Sequence, residues 1–205
     1  MFRTFQILTL MLSMAAFADA DPRFAKLRDS ADALSSLGGF LDKYVGDCGS
    51  VLEGGSECAK NAEAFRKAAN GHKFYMILTE DSTSVLSVGG FNPTAGEVSF
   101  NLTPFFPGSN SAITMGSPTK TDASGNPVLP FLTFKGSMPD GWNVQMMNRQ
   151  VQSRNMRLQV VFTPQGVWEL PKKGGGKIRG VKAKFDAILV TVGRTGDQVG
   201  LWINK

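Results

Sequence analysis

The spacing of apolar residues changes once along this chain, at Gly71, and that change sets its fold class. Before it, apolar side chains recur at Phe24, Leu27, Ala31, Leu34, Leu37, Leu41 and Tyr44. Steps of three or four place them on one face of an α-helix. Pro22 suits the first turn, where a missing N–H costs nothing. Gly38-Gly39 would kink this helix or divide it, and Gly46 would stop it. A second helix is predicted from about Glu57 to Asn70, with Ser56 as N-cap, Cys58, Ala62, Phe65 and Ala69 on its apolar face, and Gly71 as its stop.

After Gly71 the period falls to two. Phe74–Leu78 reads as a buried strand, and Val85–Val88 as another. In Glu97–Leu102, Val98, Phe100 and Leu102 share a face. Weaker strands are expected at Ala112–Met115, Pro130–Phe134 and Trp142–Met147. Met156, Leu158, Val160 and Phe162 alternate with their neighbours. Lys177–Val192 is long and β-branched, Gly193–Asp197 reads as a hairpin loop, and Gln198–Ile203 closes the chain. Residues 103–130, rich in Pro, Gly, Ser, Thr and Asn, exceed an ordinary connection. They form a functional loop, a mobile segment, or hold a further strand. The expected fold class is α+β: a disulfide-stapled helical hairpin over 21–71, then an antiparallel β-sandwich or barrel over 72–205. The two parts are expected to form one compact unit, and no crossover helices remain to build a parallel sheet.

Residues 1–20 read as a secretory signal peptide. Arg3 supplies the positive start, an apolar run follows from Phe5 to Ala18, and two small-x-small cleavage sites appear, Ala16-Phe17-Ala18 and Ala18-Asp19-Ala20, of which the second is favoured. Cleavage after Ala20 would leave Asp21 first. The run is short for a membrane span, which needs ~20 residues, and none follows it. The expected location is therefore secreted or periplasmic. In that compartment Cys48 and Cys58, the two cysteines of the chain, are expected to pair and join the end of one helix to the start of the next.

Catalytic chemistry finds little to use. His72 is the single histidine. It stands at a helix C-terminus, where a cation is favoured for electrostatic reasons alone. One histidine and two cysteines do not make a zinc site, which wants four ligands. Glu80-Asp81 with Ser82 and Thr83 matches no calcium loop. Glu97, Asp140, Glu169 and Asp186 are the acids a glycosidase-like pair would draw on, but their positions do not pair them. Gly174-Gly175-Gly176-Lys177 lacks the spacing of a phosphate loop. No metal or cofactor is expected. Asn101-Leu102-Thr103 has the form of a glycosylation acceptor.

The strongest bias is charge. The net +5 of the whole chain is unevenly placed. Residues 21–81 carry 8 basic and 10 acidic side chains, residues 82–205 carry 13 and 6. Lys172, Lys173, Lys177, Arg179, Lys182 and Lys184 stand within thirteen positions, with no acid among them. They are the candidate binding residues, for an anionic surface, polymer or protein. Arg149, Arg154 and Arg157 add a second group. Nucleic acid is not expected, since the stretch lacks stacking aromatics apart from Phe185. On a regular strand Lys177 and Arg179 share one face and Lys182 and Lys184 the other. One contiguous patch therefore requires a bulge near Gly180.

Four stretches carry a resemblance: Asp21-Pro22-Arg23-Phe24, the Cys48/Cys58 loop, Gly125–Pro130 and Val161–Trp168. Through them the whole chain resembles a family of small secreted bacterial proteins classed as a domain of unknown function. The resemblance implies bacterial export and no reaction. Three readings follow: a secreted, non-enzymatic binding or envelope-associated module, a structural subunit of a larger extracytoplasmic assembly, or a hydrolase using paired carboxylates.

Overall fold

The computed structural model describes residues 21–46, 55–78, 86–108, 111–125, 128, 131–171 and 175–205. The expected leader, Cys48, the acidic turn Glu80–Thr83, and Lys172 and Lys173 lie outside them. Among the described residues the chain is α+β, with four α-helices and one mixed sheet of ten strands.

The amino-terminal part is not the two-helix hairpin that the spacing predicts. It holds α1 (Pro22–Asp29), the short strand β1 (Asp32–Ala33), α2 (Leu37–Leu41) running on into a π-helical turn (Asp42–Gly46), and α3 (Gly55–Ala69). The break falls at Ser30 rather than at Gly38-Gly39, because the backbone there leaves the helix for the sheet. Asp32 N donates to Lys73 O at 2.9 Å and Leu34 N to Tyr75 O at 2.8 Å. The three-four spacing hides the break because its residues divide between two cores: Phe24, Leu27 and Ala31 pack in one, Leu34, Leu37, Leu41 and Tyr44 in the other. Among the described residues no cysteine is a free thiol.

The strands are β2 (Phe74–Leu78), β3 (Leu86–Asn92), β4 (Glu97–Leu102), β5 (Phe105–Pro107), β6 (Ser111–Met115), β7 (Leu132–Ser137), β8 (Met156–Pro171), β9 (Lys177–Val192) and β10 (Gln198–Ile203). Their order is β1-β2-β8-β9-β10-β7-β4-β3, with β6 also paired to β9 and β5 to β6. An antiparallel sandwich or barrel is thus corrected to a mixed, branched sheet, since β1 runs parallel to β2 and β6 parallel to β9. The span Trp142–Met147, expected as a strand, lies largely in helix α4 (Val144–Gln152). Asn143 caps that helix by accepting from Met146 N at 2.9 Å. Phe74–Leu78 is buried on one face only, and Ile77 is 52% exposed.

The branch point organises the molecule. β8 pairs with β9 along its whole length, which leaves β9 one other edge. That edge is shared: Arg179–Ala183 pairs with β6 and Ala187–Thr191 with β10. Between the two leaves, Asn204 continues the ladder. Its backbone N donates to Asp186 O at 2.9 Å and its side-chain Nδ2 to Phe185 O at 3.1 Å.

Alternation along β8 and β9 builds both cores. Val160, Phe162, Ile188, Val190 and Val192 enter the larger one, and Val161, Ala187 and Leu189 enter the smaller one under α1. In the larger core Phe40 is an aromatic hub. Its ring centroid lies 5.5 Å from Tyr44, 5.8 Å from Phe65, 5.0 Å from Phe74 and 5.6 Å from Phe162. Further along the β10 leaf, β10 and β7 share a single residue pair, Gly200 and Gly136. A side chain at Gly136 would strike the Val199 carbonyl oxygen and the Phe100 ring, so only glycine lets these strands approach.

Candidate functional site

Four of the six clustered cations, Lys177, Arg179, Lys182 and Lys184, are described, and they fall on the distal half of the β8–β9 hairpin. Pro171 pairs with Lys177 at its end, and Lys172 and Lys173 belong to the connection between these two residues, outside the described ones. Glu169 stands opposite Arg179 in the register and binds both cations of its face. Lys177 Nζ is 2.6 Å from Glu169 Oε2, and Arg179 Nε is 3.1 Å from Oε1. The hydrogen bond from Lys177, with the charges of Lys177 and Arg179, holds the Glu169 carboxyl below the usual carboxylate range. All three side chains keep a third or more of their surface in water, so each pair contributes little to stability.

Lys182 and Lys184 do not join that group. β9 pairs with β6 without a shift from Arg179 to Ala183, so there is no bulge at Gly180. The irregularities lie elsewhere. Pro164 pairs with Ala183 and Gly166 with Lys182, which makes Gln165 an extra residue on β8. Val161 pairs with Ala187 and Phe162 with Phe185, which makes Asp186 the extra residue on β9. The cations therefore divide two and two between the faces of the strand.

The bulge at Asp186 turns a carboxylate into the structure. Its side chain is 9% exposed. Thr163 Oγ1 donates to Asp186 Oδ2 at 2.9 Å, and Lys184 Nζ lies 3.5 Å from Oδ1. Both partners are neighbours in the ladder, where Thr163 pairs with Lys184. A buried carboxylate is tolerated where hydrogen bonds and a cation replace its water. The sequence signal for this cluster was one acid inside the run Phe185–Val192. A two-residue period cannot place such an acid on the core side, so a bulge must. Thr163 and Asn204 carried no signal of their own.

The other candidates lie apart. Glu97, on β4, holds Lys135 of β7 at 2.7 Å, and Asp140 is exposed. His72 Nδ1 stands 3.7 Å from Asp32 Oδ2, with both side chains exposed. Among the described residues no three of His, Cys, Asp and Glu come together as metal ligands. Asn101 is half-buried in β4, where its Oδ1 accepts from Thr133 Oγ1 at 2.9 Å. Arg149 lies on α4 and Arg157 on β8, while Arg154 follows α4 with a φ of 57°.

A family model described as a family of unknown function (DUF6066) matches residues 1–205. No curated protein and no solved structure matches the chain.

Proposed function

The chain belongs to this family of unknown function, and from its own residues we propose a secreted, non-enzymatic module that binds an anionic surface or polymer through the distal β8–β9 hairpin. One observation carries the reading. At that end of the hairpin Lys177, Arg179, Lys182 and Lys184 stand with Glu169 and Asp186 as the carboxylates that bind among them. Lys172 and Lys173 sit in the connection. The cations are spread over both faces of one end of the hairpin, an arrangement suited to a diffuse anion better than to a small ligand. Export rests on the leader pattern of residues 1–20. A pairing of Cys48 with Cys58 fits that compartment.

The test is cosedimentation of residues 21–205 with phosphatidylglycerol vesicles and with an anionic wall polymer, in a salt series. Binding that weakens as salt rises, and that falls when Lys172, Lys173 and Lys182 are changed to Glu, supports the reading. No retention, or retention indifferent to salt, overturns it.

One observation favours a structural subunit as a second reading: Phe131, at the start of β7, is 75% exposed. A concentration-dependent oligomer in light scattering, lost in Phe131→Ser, would support it. The hydrolase reading gains no such observation, since Glu97, Glu169 and Asp186 are each held by a cation.

A further inference from the structure

Resting on the export reading, we infer that the bond preceding Asp21 is the processing site of this chain, and that the amine freed there is a built part of the fold, docked on Gln198. The backbone N of Asp21 donates to Gln198 Oε1 at 3.2 Å, across 177 positions of sequence. The contact ties the start of α1 to the first residue of β10.

Asp21 is itself held in place. Its carboxylate caps α1, accepting from Arg23 N at 2.9 Å, from Arg23 Nε at 3.0 Å and from Arg23 Nη2 at 2.8 Å. A cavity of about 310 Å³ opens beside it, lined by Asp21, Arg23, Lys135, Ser137, Gln198 and Gly200 among others. It lies where β7 and β10 diverge from their single Gly200–Gly136 pair.

Hydrolysis of the bond gives the hydroxyl of water to the carbonyl carbon of Ala20, which leaves as a carboxylate. The protons go to the nitrogen of Asp21, which becomes an ammonium. The peptide N–H has one donor, already used on Gln198. The ammonium has three, and the cavity gives the other two room for water. The charged groups facing it are the Asp21 carboxylate and Arg23 from α1, and Lys135 from β7. Arg23 is paired with Asp21, and Lys135 with Glu97 of β4. β10 supplies the neutral Gln198. The site therefore accepts the new positive charge with the Asp21 carboxylate as its adjacent counter-ion. Cleavage after Ala18 would instead leave a dipeptide on Asp21 and an amide against Gln198.

The experiment uses residues 21–205 with a native amine, released from a cleavable fusion and labelled with ¹⁵N. The side-chain amide of Gln198 is followed by NMR from about pH 6 to 9, spanning the ordinary α-amine range of roughly 7.7–8. The resonance is expected to titrate in that window, and the titration to disappear when the Asp21 amine is acetylated. Acylation of the amine is expected to be faster in Gln198→Ala than in the parent chain. A Gln198 resonance indifferent to pH, or one that titrates equally after acetylation, overturns the docking. The protein purified from its own host is then weighed. A chain starting at Asp21 supports the processing site, and one starting at Asp19 overturns it while leaving export intact. A chain starting at Met1 throughout the cell overturns the export reading itself.

Discussion

The indole of Trp168 fills the space in which a side chain on Gly180 would stand. The two residues pair across β8 and β9, and an added Cβ would meet the indole ring and the Ala112 carbonyl oxygen. Ala112 belongs to β6, so Gly180 lets three strands and an indole close on one point. Gly180→Ala is therefore expected to cost about 1–3 kcal/mol by overpacking. A drop in the urea midpoint at unchanged slope checks it. Trp168→Phe is the informative companion. Trp168 Nε1 is buried and has no hydrogen-bond partner among the described residues. Removing that N–H while keeping a ring is expected to cost less than Gly180→Ala, because the lost contact area is offset by relief of an unsatisfied donor.

Asn204 bridges the fork of the sheet, and its side chain is expected to matter beyond its terminal position. Asn204→Ala removes the donor to the Phe185 carbonyl and is expected to cost about 1 kcal/mol. Amide exchange should quicken first in β10, next to the fork. Thr163→Val tests the same bulge from the other strand. It leaves Asp186 Oδ2 without its hydroxyl donor, at an expected cost of about 1–3 kcal/mol.

Phe40 holds the helical part to the sheet. Phe40→Ala is expected to cost about 3–5 kcal/mol, read as a fall in Tm, with α2 and α3 loosening before β8 and β9 in hydrogen exchange. Phe40→Leu keeps part of the volume but loses the ring contacts with Phe74 and Phe162, and should fall between Phe40→Ala and the parent chain.

Acid should loosen α1 at a defined point. The bonds and charge of Arg23 hold the Asp21 carboxyl at about 2, against an ordinary value of 3.8. A carboxyl lowered on folding stabilises the native state fully above its unfolded value. That contribution fades as pH falls from about 4 through about 2. The slope of Tm against pH in that window should be shallower in Asp21→Asn than in the parent chain. Equal slopes would show that the cap does not contribute.

If Cys48 and Cys58 pair, the loop between them is short, and reduction is expected to cost about 2.8 kcal/mol by chain entropy. Intact mass with and without reduction reports the bond, and the urea midpoint of a double Ser variant reports its effect.

Much of this was legible in the residues. Gly71 does end α3, with a φ of 78°, and the strands expected near Phe74, Glu97, Lys177 and Gln198 are there. Each rests on a local period with a glycine or polar turn at its end. The candidate site was legible in part: the run of six cations and, for a regular strand, its division between two faces are visible at once, but the absence of a bulge at Gly180 that would have joined them is not. A bulge is a relation between two strands rather than a property of one. The same holds for α4. Asn143 and an apolar stripe of Val144, Met147 and Val151 suit a helix, yet the short apolar run around Trp142 reads equally well as a strand.

The sequence by itself determined the α-then-β order, the long strand Lys177–Val192, the uneven charge and the leader pattern. It did so because backbone period, chain stiffness and net charge are set by residues near one another in the chain. The tertiary structure decided the break at Ser30, the fork filled by Asn204, the buried turn of Asp186 and the meeting of Asp21 with Gln198. Each of these depends on hydrogen bonds between residues far apart in sequence. A local pattern can permit such bonds, but only the packed sheet selects them.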